Sequence, residues 1–185
     1  MKSFGLSAIA QAVALCAGSL MFCASASAMG DHAAYEQAKA NAKATYETDH
    51  KACESMAGNA KDVCVAEAKA KREKTEVNAE ADWKNTPKAR EHAAHESAEA
   101  DYKVAKERCE AKAGNEKDVC IKEAKAAETK TEADAKAMRK TADAHKDANE
   151  DKMKADYKVA AEKCDSLSGD AKSHCVDAAK TRYHQ

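Results

Sequence analysis

The chain has 185 residues, of which 34% are Asp, Glu, Lys or Arg, with a formal net charge of −1. Its 44% apolar content is mostly alanine: beyond residue 28 stand 37 alanines but only nine larger aliphatics, Val63, Val65, Val77, Val104, Val119, Ile121, Val159, Leu167 and Val176. Adding Trp83, five tyrosines and four methionines brings the large apolar side chains to 19, far below what a compact core needs, which excludes an ordinary enzyme built around a buried pocket.

At the N-terminus Lys2 precedes an apolar run from Phe4 to Phe22, followed by small residues ending Ala26-Ser27-Ala28. A charged start, a hydrophobic middle and an A-x-A ending form the layout of a secretory signal peptide. Residues 1–28 are therefore expected to be removed, leaving a chain that begins at Met29. An uncleaved anchor is the alternative, since the run approaches spanning length, but the A-x-A ending favours cleavage. Leu15 before Cys16 and Phe22 before Cys23 are too bulky for a lipid-attachment motif. Only Lys2 of the 31 bases and none of the 32 acids lies in this leader, so the remainder carries a net charge of −2. No later stretch is apolar enough to span a bilayer. The expected location is periplasmic or secreted, an oxidising setting in which cysteines pair.

Six cysteines follow, as Cys53/Cys64, Cys109/Cys120 and Cys164/Cys175, each pair eleven positions apart. Seven residues before each first cysteine stands Tyr46, Tyr102 or Tyr157, and five residues after it Gly58, Gly114 or Gly169. The unit Y-x6-C-x4-G-x5-C thus occurs three times, and residues 53–81 and 109–137 agree at 18 of 29 positions. The third copy drifts to S-G-D-A-K-S-H-C, as a terminal capping repeat does. Ala, Lys and Glu dominate both arms of each unit and favour helix. Gly58 and Gly114 stand where the first helix wants a left-handed C′ residue, and Asn59, Asn115 and Asp170 follow as N-caps of the second. Glu67/Lys71, Glu80/Lys84, Glu99/Lys103 and Glu132/Lys136 have the favourable i, i+4 order.

The midpoint of Cys53 and Cys64 falls in the Gly58-Asn59 turn, and the other pairs are centred likewise. Folding two helices at that point sets the cysteines opposite one another, so of 15 connectivities the local one is expected. Free thiols serving redox or metal chemistry are the alternative, disfavoured by the compartment. Thr86 and Pro87 predict a new helix start after Asn85. Residues 116 to about 167 read as one long helix, with a bend expected near Asp147–Asp151. The expectation is an all-α, elongated, coiled-coil-like array of three disulfide-bridged antiparallel helical hairpins. Its units are a signal peptide over 1–28 and repeats over 29–85, 86–141 and 142–185.

The run Y-K-V-A-K-E-R-C-E-A-K-A-G-N-E-K-D-V-C-I-K-E-A-K-A, residues 102–126, resembles a group of small exported Ala/Lys/Glu-rich cysteine-hairpin proteins of Gram-negative proteobacteria, some labelled TolA-like. The similarity to that group extends over nearly all of the chain beyond the leader. Similarity to TolA itself is compositional only: the chain has no candidate for a C-terminal globular domain, and its hydrophobic segment looks cleavable. No envelope-bridging role and no functional residues carry over.

Candidate chemistry is sparse. His92 and His95, flanked by Glu91 and Glu96, share a helical face, but a firm zinc or copper site needs three or four converging donors. The other copies offer no equivalent: in the first unit the corresponding positions are Glu36 and Lys39. His92 and His95 are therefore weak metal candidates, and no cofactor is expected. No nucleophile motif occurs, acids alternate with lysines as on solvated faces, and the charge is too balanced for nucleic acid. The repeated tyrosines read as covers for the bridges. A non-catalytic interaction, structural or holdase-like protein is the leading expectation, with an unidentified protein or envelope partner and self-association through helices. A metal-ion or redox binding module using His and Cys is the other.

Overall fold

The computed structural model describes residues 30–185. The expected leader, with Lys2, Cys16, Cys23, the Ala26–Ala28 motif and the Met29 start, lies outside the described residues. Five helices follow in order: α1 His32–Cys53, α2 Gly58–Lys84, α3 Pro87–Cys109, α4 Gly114–Cys164 and α5 Gly169–Tyr183. The protein is all-α. Each helix packs antiparallel on its neighbour in the chain, giving the sequence α1·α2·α3·α4·α5.

Local signals explain the helix ends. Asp31 caps α1, its side chain accepting from the Ala33 amide at 2.8 Å. Thr86 caps α3 through the Ala89 amide at 3.1 Å, with Pro87 in the first turn, as its sequence predicts. Between α2 and α3 the chain reverses at Asn85, whose φ of 46° makes it a left-handed C-cap. The hairpin glycines are also left-handed, with φ of 57°, 53° and 58°. Their place differs from the expectation. Each comes after a four-residue turn and opens the second helix, instead of closing the first. Ala57, Ala113 and Ser168 precede them in extended conformation without a side-chain cap. Asn59, Asn115 and Asp170 therefore lie inside α2, α4 and α5 and do not cap them.

Alanine makes the seams. The buried apolar residues are Ala42, Ala68, Ala70, Ala81, Ala93, Ala98, Ala100, Ala135, Ala179, Val104 and the first cysteine of each pair. Small side chains let helices approach closely but remove little apolar area per residue, so the seams need other support. Ion pairs cross them: Lys71–Asp49 at 2.9 Å between α1 and α2, Lys74–Asp101 at 2.7 Å and Arg108–Glu67 at 2.6 Å between α2 and α3, and Arg139–Glu91 between α3 and α4. Two of the pairs expected within a helix, Glu80/Lys84 and Glu99/Lys103, form. Glu67, Lys71 and Glu132 reach across to other helices.

The 51-residue α4 belongs to two hairpins. Its first part packs on α3 and its last part on α5, and at about 1.5 Å per residue it extends roughly 75 Å. The helix runs unbroken through residues 141–142 and through Asp147–Asp151. Residues 144–152 are exposed on every side. A four-helix layer, α1 to the first part of α4, is thereby joined by a single bare helix to the small α4–α5 hairpin.

Candidate functional site

Two features carry what chemistry the chain has: the bridges and the outer face of α3. All three bridges form as the spacing predicts, Cys53–Cys64, Cys109–Cys120 and Cys164–Cys175, each with Cα atoms 5.7 Å apart. Cys53, Cys109 and Cys164 are 0–1% exposed, while their partners are half-buried. Each bridge sits at the turn end of its hairpin.

Gly58, Gly114 and Gly169 set the turns. A Cβ at any of them would meet nothing within 4 Å, so only the positive φ requires glycine there. Asn59 acts at a distance: its Nδ2 donates to the Glu107 carbonyl at 2.7 Å, tying the first turn to the end of α3. Asn115 and Asp170 lie exposed at the starts of α4 and α5.

The tyrosines were expected as covers for the bridges. A separation of seven residues places each ring two helical turns away, roughly 10 Å along the axis. Two of them meet a cation from the facing helix instead: Arg72 lies 4.8 Å from the Tyr46 centroid and Lys125 Nζ 5.1 Å from that of Tyr102. Lys125 also pairs with buried Glu128, which holds its ammonium above the ordinary lysine range. Tyr157 is half-buried.

An aromatic clasp closes the open end of the first hairpin, opposite its bridge. Tyr35 stacks on Trp83 with centroids 5.0 Å apart, and His32 meets the same indole edge-on at 4.6 Å. The Gly30 amide donates to the Trp83 carbonyl at 2.7 Å. A Cβ at Gly30 would lie 2.4 Å from the Asp82 oxygen, so this approach requires glycine.

On α3, His92, His95, Glu96 and Glu99 follow at i, i+3, i+4 and i+7 and share a face. His92 Nδ1 and His95 Nδ1 lie 3.9 and 3.6 Å from Glu96 Oε1. His95 Nε2 is 3.1 Å from Glu132 Oε1 on α4. Lys103 sits 3.0 Å from Glu99 and, by hydrogen bonding first and charge second, holds its carboxyl below the usual range. Single donor atoms of His95, Glu96 and Glu99 all lie within 4.8 Å of one another. The sequence reading stopped at the two histidines and missed Glu99 and Glu132.

Among the described residues no helix is long and apolar enough to cross a membrane. The grooves between helices are open and lined mainly by alanine and charged side chains, such as Lys74, Ala98, Asp101 and Ala127 on either side of α3. No family model, curated protein or solved structure matches the chain.

Proposed function

We propose that this is an exported, non-catalytic spacer and interaction protein of an oxidising envelope compartment such as the periplasm, delivered there by cleavage after Ala28. The observation that carries the reading is the bare span of α4. Two bridged bodies sit at the ends of one helix whose residues 144–152 touch neither. Such an arrangement fixes a separation between two helical surfaces, and the grooves along its seams are open, unlike the enclosed sites in which a substrate is desolvated. Ala-rich seams held by three short-range bridges suit a compartment where disulfides persist. Exposed Met56, Val119, Met138, Val159 and Leu167 are spread over both bodies and give each apolar contacts for a protein or envelope partner, or for a second copy.

Cross-linking in intact cells followed by mass spectrometry tests this reading. The exported chain is expected to start at Met29 and to capture the same partner through residues of both bodies. Deleting seven residues within 144–152 should keep each body folded while eliminating the cross-link from one of them. Cross-links unchanged by the deletion would refute the spacer role. Titratable thiols in the denatured, unreduced exported protein would favour the redox alternative.

A further inference from the structure

The histidine face of α3 supports a second property, independent of the spacer reading. We infer that His95, Glu96 and Glu99, with His92 at the edge, form a surface site for a borderline divalent cation such as Zn²⁺. Helical spacing supplies two interlocked i, i+4 chelating pairs, His92/Glu96 and His95/Glu99, on one face. Donors around a tetrahedral zinc stand about 3.3 Å apart, as ligand distances of about 2.0–2.1 Å require. The 3.6 Å between His95 Nδ1 and Glu96 Oε1 is already near that value, and one donor atom each from His95, Glu96 and Glu99 lie within 4.8 Å of one another. Rotamer adjustment within one helix closes the rest.

A second observation, independent of the α3 spacing, comes from the neighbouring helix. Glu132 on α4 faces His95 Nε2 at 3.1 Å. A carboxylate there favours the tautomer with its proton on Nε2, leaving the Nδ1 lone pair directed toward Glu96. This is the outer-shell arrangement that orients metal-binding histidines. Glu132 is thus a positioning residue, fixed because α4 is registered on α3 by the Cys109–Cys120 bridge. Lys103, which neutralises Glu99 without the ion, moves aside when it binds. Mixed imidazole and carboxylate donors select zinc or copper over calcium or magnesium. The exposed face leaves room for water as a further ligand.

Calorimetric titration of the untagged, fully bridged chain from Met29 with Zn²⁺ alone tests the site. One ion per chain with a micromolar Kd is expected. His95→Ala and Glu99→Gln should each weaken binding at least tenfold, and His145→Ala on the bare span of α4 should leave it unchanged. Glu132→Ala should weaken it about tenfold, within the range for outer-shell partners, with partial rescue by Glu132→Gln. Imidazole nitrogen shifts of the metal-free protein should show the Nε2-protonated tautomer of His95, lost in Glu132→Ala. All these side chains are at least partly exposed, so circular dichroism should show every variant folded. No saturable binding, or equal loss from His145→Ala and His95→Ala, would overturn the assignment, the latter by reducing the signal to scattered surface imidazoles.

Discussion

Removing the third bridge by the double change Cys164→Ser and Cys175→Ser should release α5 while leaving the four-helix layer intact. Each bridge spans the same eleven positions, so loop-closure entropy assigns each about 2.8 kcal/mol. What differs is the packing beneath it. Helix α5 has 15 residues, only Ala179 of them buried, and among the described residues it packs on α4 alone. A helix of that length is marginal in water without support. In the layer, by contrast, α2 is held on both sides: by α1 through Lys71–Asp49, and by α3 through the Ala70, Ala100 and Val104 cluster, Lys74–Asp101 and Arg108–Glu67. There the loss of one bridge, as in Cys53→Ser with Cys64→Ser, should lower the melting temperature by roughly 6–11 °C without selective unfolding. Hydrogen exchange with peptide resolution distinguishes the two cases. The third-bridge variant should lose protection over residues 169–183 at low temperature, with trypsin cutting at Lys172, Lys180 and Arg182 while α1 to α3 survive. Protection of α5 equal to that of the intact protein would refute the claim that its bridge holds it.

Three further outcomes follow from the same geometry. Gly58→Ala or Gly114→Ala should each cost about 1–2 kcal/mol, the penalty of a left-handed non-glycine residue, and asparagine should cost less; equal melting temperatures for glycine and alanine would contradict the φ argument. Trp83→Ala removes the ring on which Tyr35 and His32 pack, so it should cost roughly 2 kcal/mol, below the value for a fully buried tryptophan, and speed amide exchange in the first turns of α1. The Glu99–Lys103 pair has a lowered acid pKa and a raised lysine pKa in the folded state, each caused first by their mutual hydrogen bond. Its contribution is therefore present between the ordinary carboxylate and lysine ranges. It fades as pH falls through the Glu99 value or rises through that of Lys103. The small margin in melting temperature of the wild type over Glu99→Gln, measured across pH, should accordingly begin to shrink as pH drops through the ordinary carboxylate range and be gone only below the lowered Glu99 value.

The hairpins were legible because cysteine spacing and turn residues are local signals. A pair centred on a glycine turn has one simple bridging geometry, and Thr86-Pro87 marks a helix start by its own chemistry. What stayed hidden depends on contacts between helices. Glu67 and Lys71 read as partners at i, i+4, yet each finds a partner on a neighbouring helix, because long charged side chains at a seam reach across as easily as along. Asn59 has the composition of a cap, but its amide reaches the end of α3, whose position relative to the first turn is set by the whole length of α2 and α3. Trp83 gave no sign of its partners, since Tyr35 lies 48 positions earlier in the sequence. The histidine face was half legible. Glu99 could have been read from helical spacing alone, and Glu132 from the bridge: it lies twelve residues beyond Cys120, opposite residue 97, which is twelve before Cys109.

The bare span of α4 stays helical over residues 147–151 although its local composition disfavours helix. Asp147, Asn149 and Asp151 are poor helix formers, which is why a bend was expected there. Helix formation is limited by nucleation, however, and this span needs none. It is continued from packed turns on both sides, Ala135 buried against the layer and Cys164 at the last bridge. Each added residue therefore requires only propagation, which Ala144, Ala148 and the Lys146–Glu150 pair favour. The same logic says how the span fails. The span is exposed along its whole length, so its hydrogen bonds open at a lower free energy than those of the packed turns. Changes in the angle between the two bodies should consequently occur by local melting within residues 144–152, with the layer and the last hairpin moving as intact units.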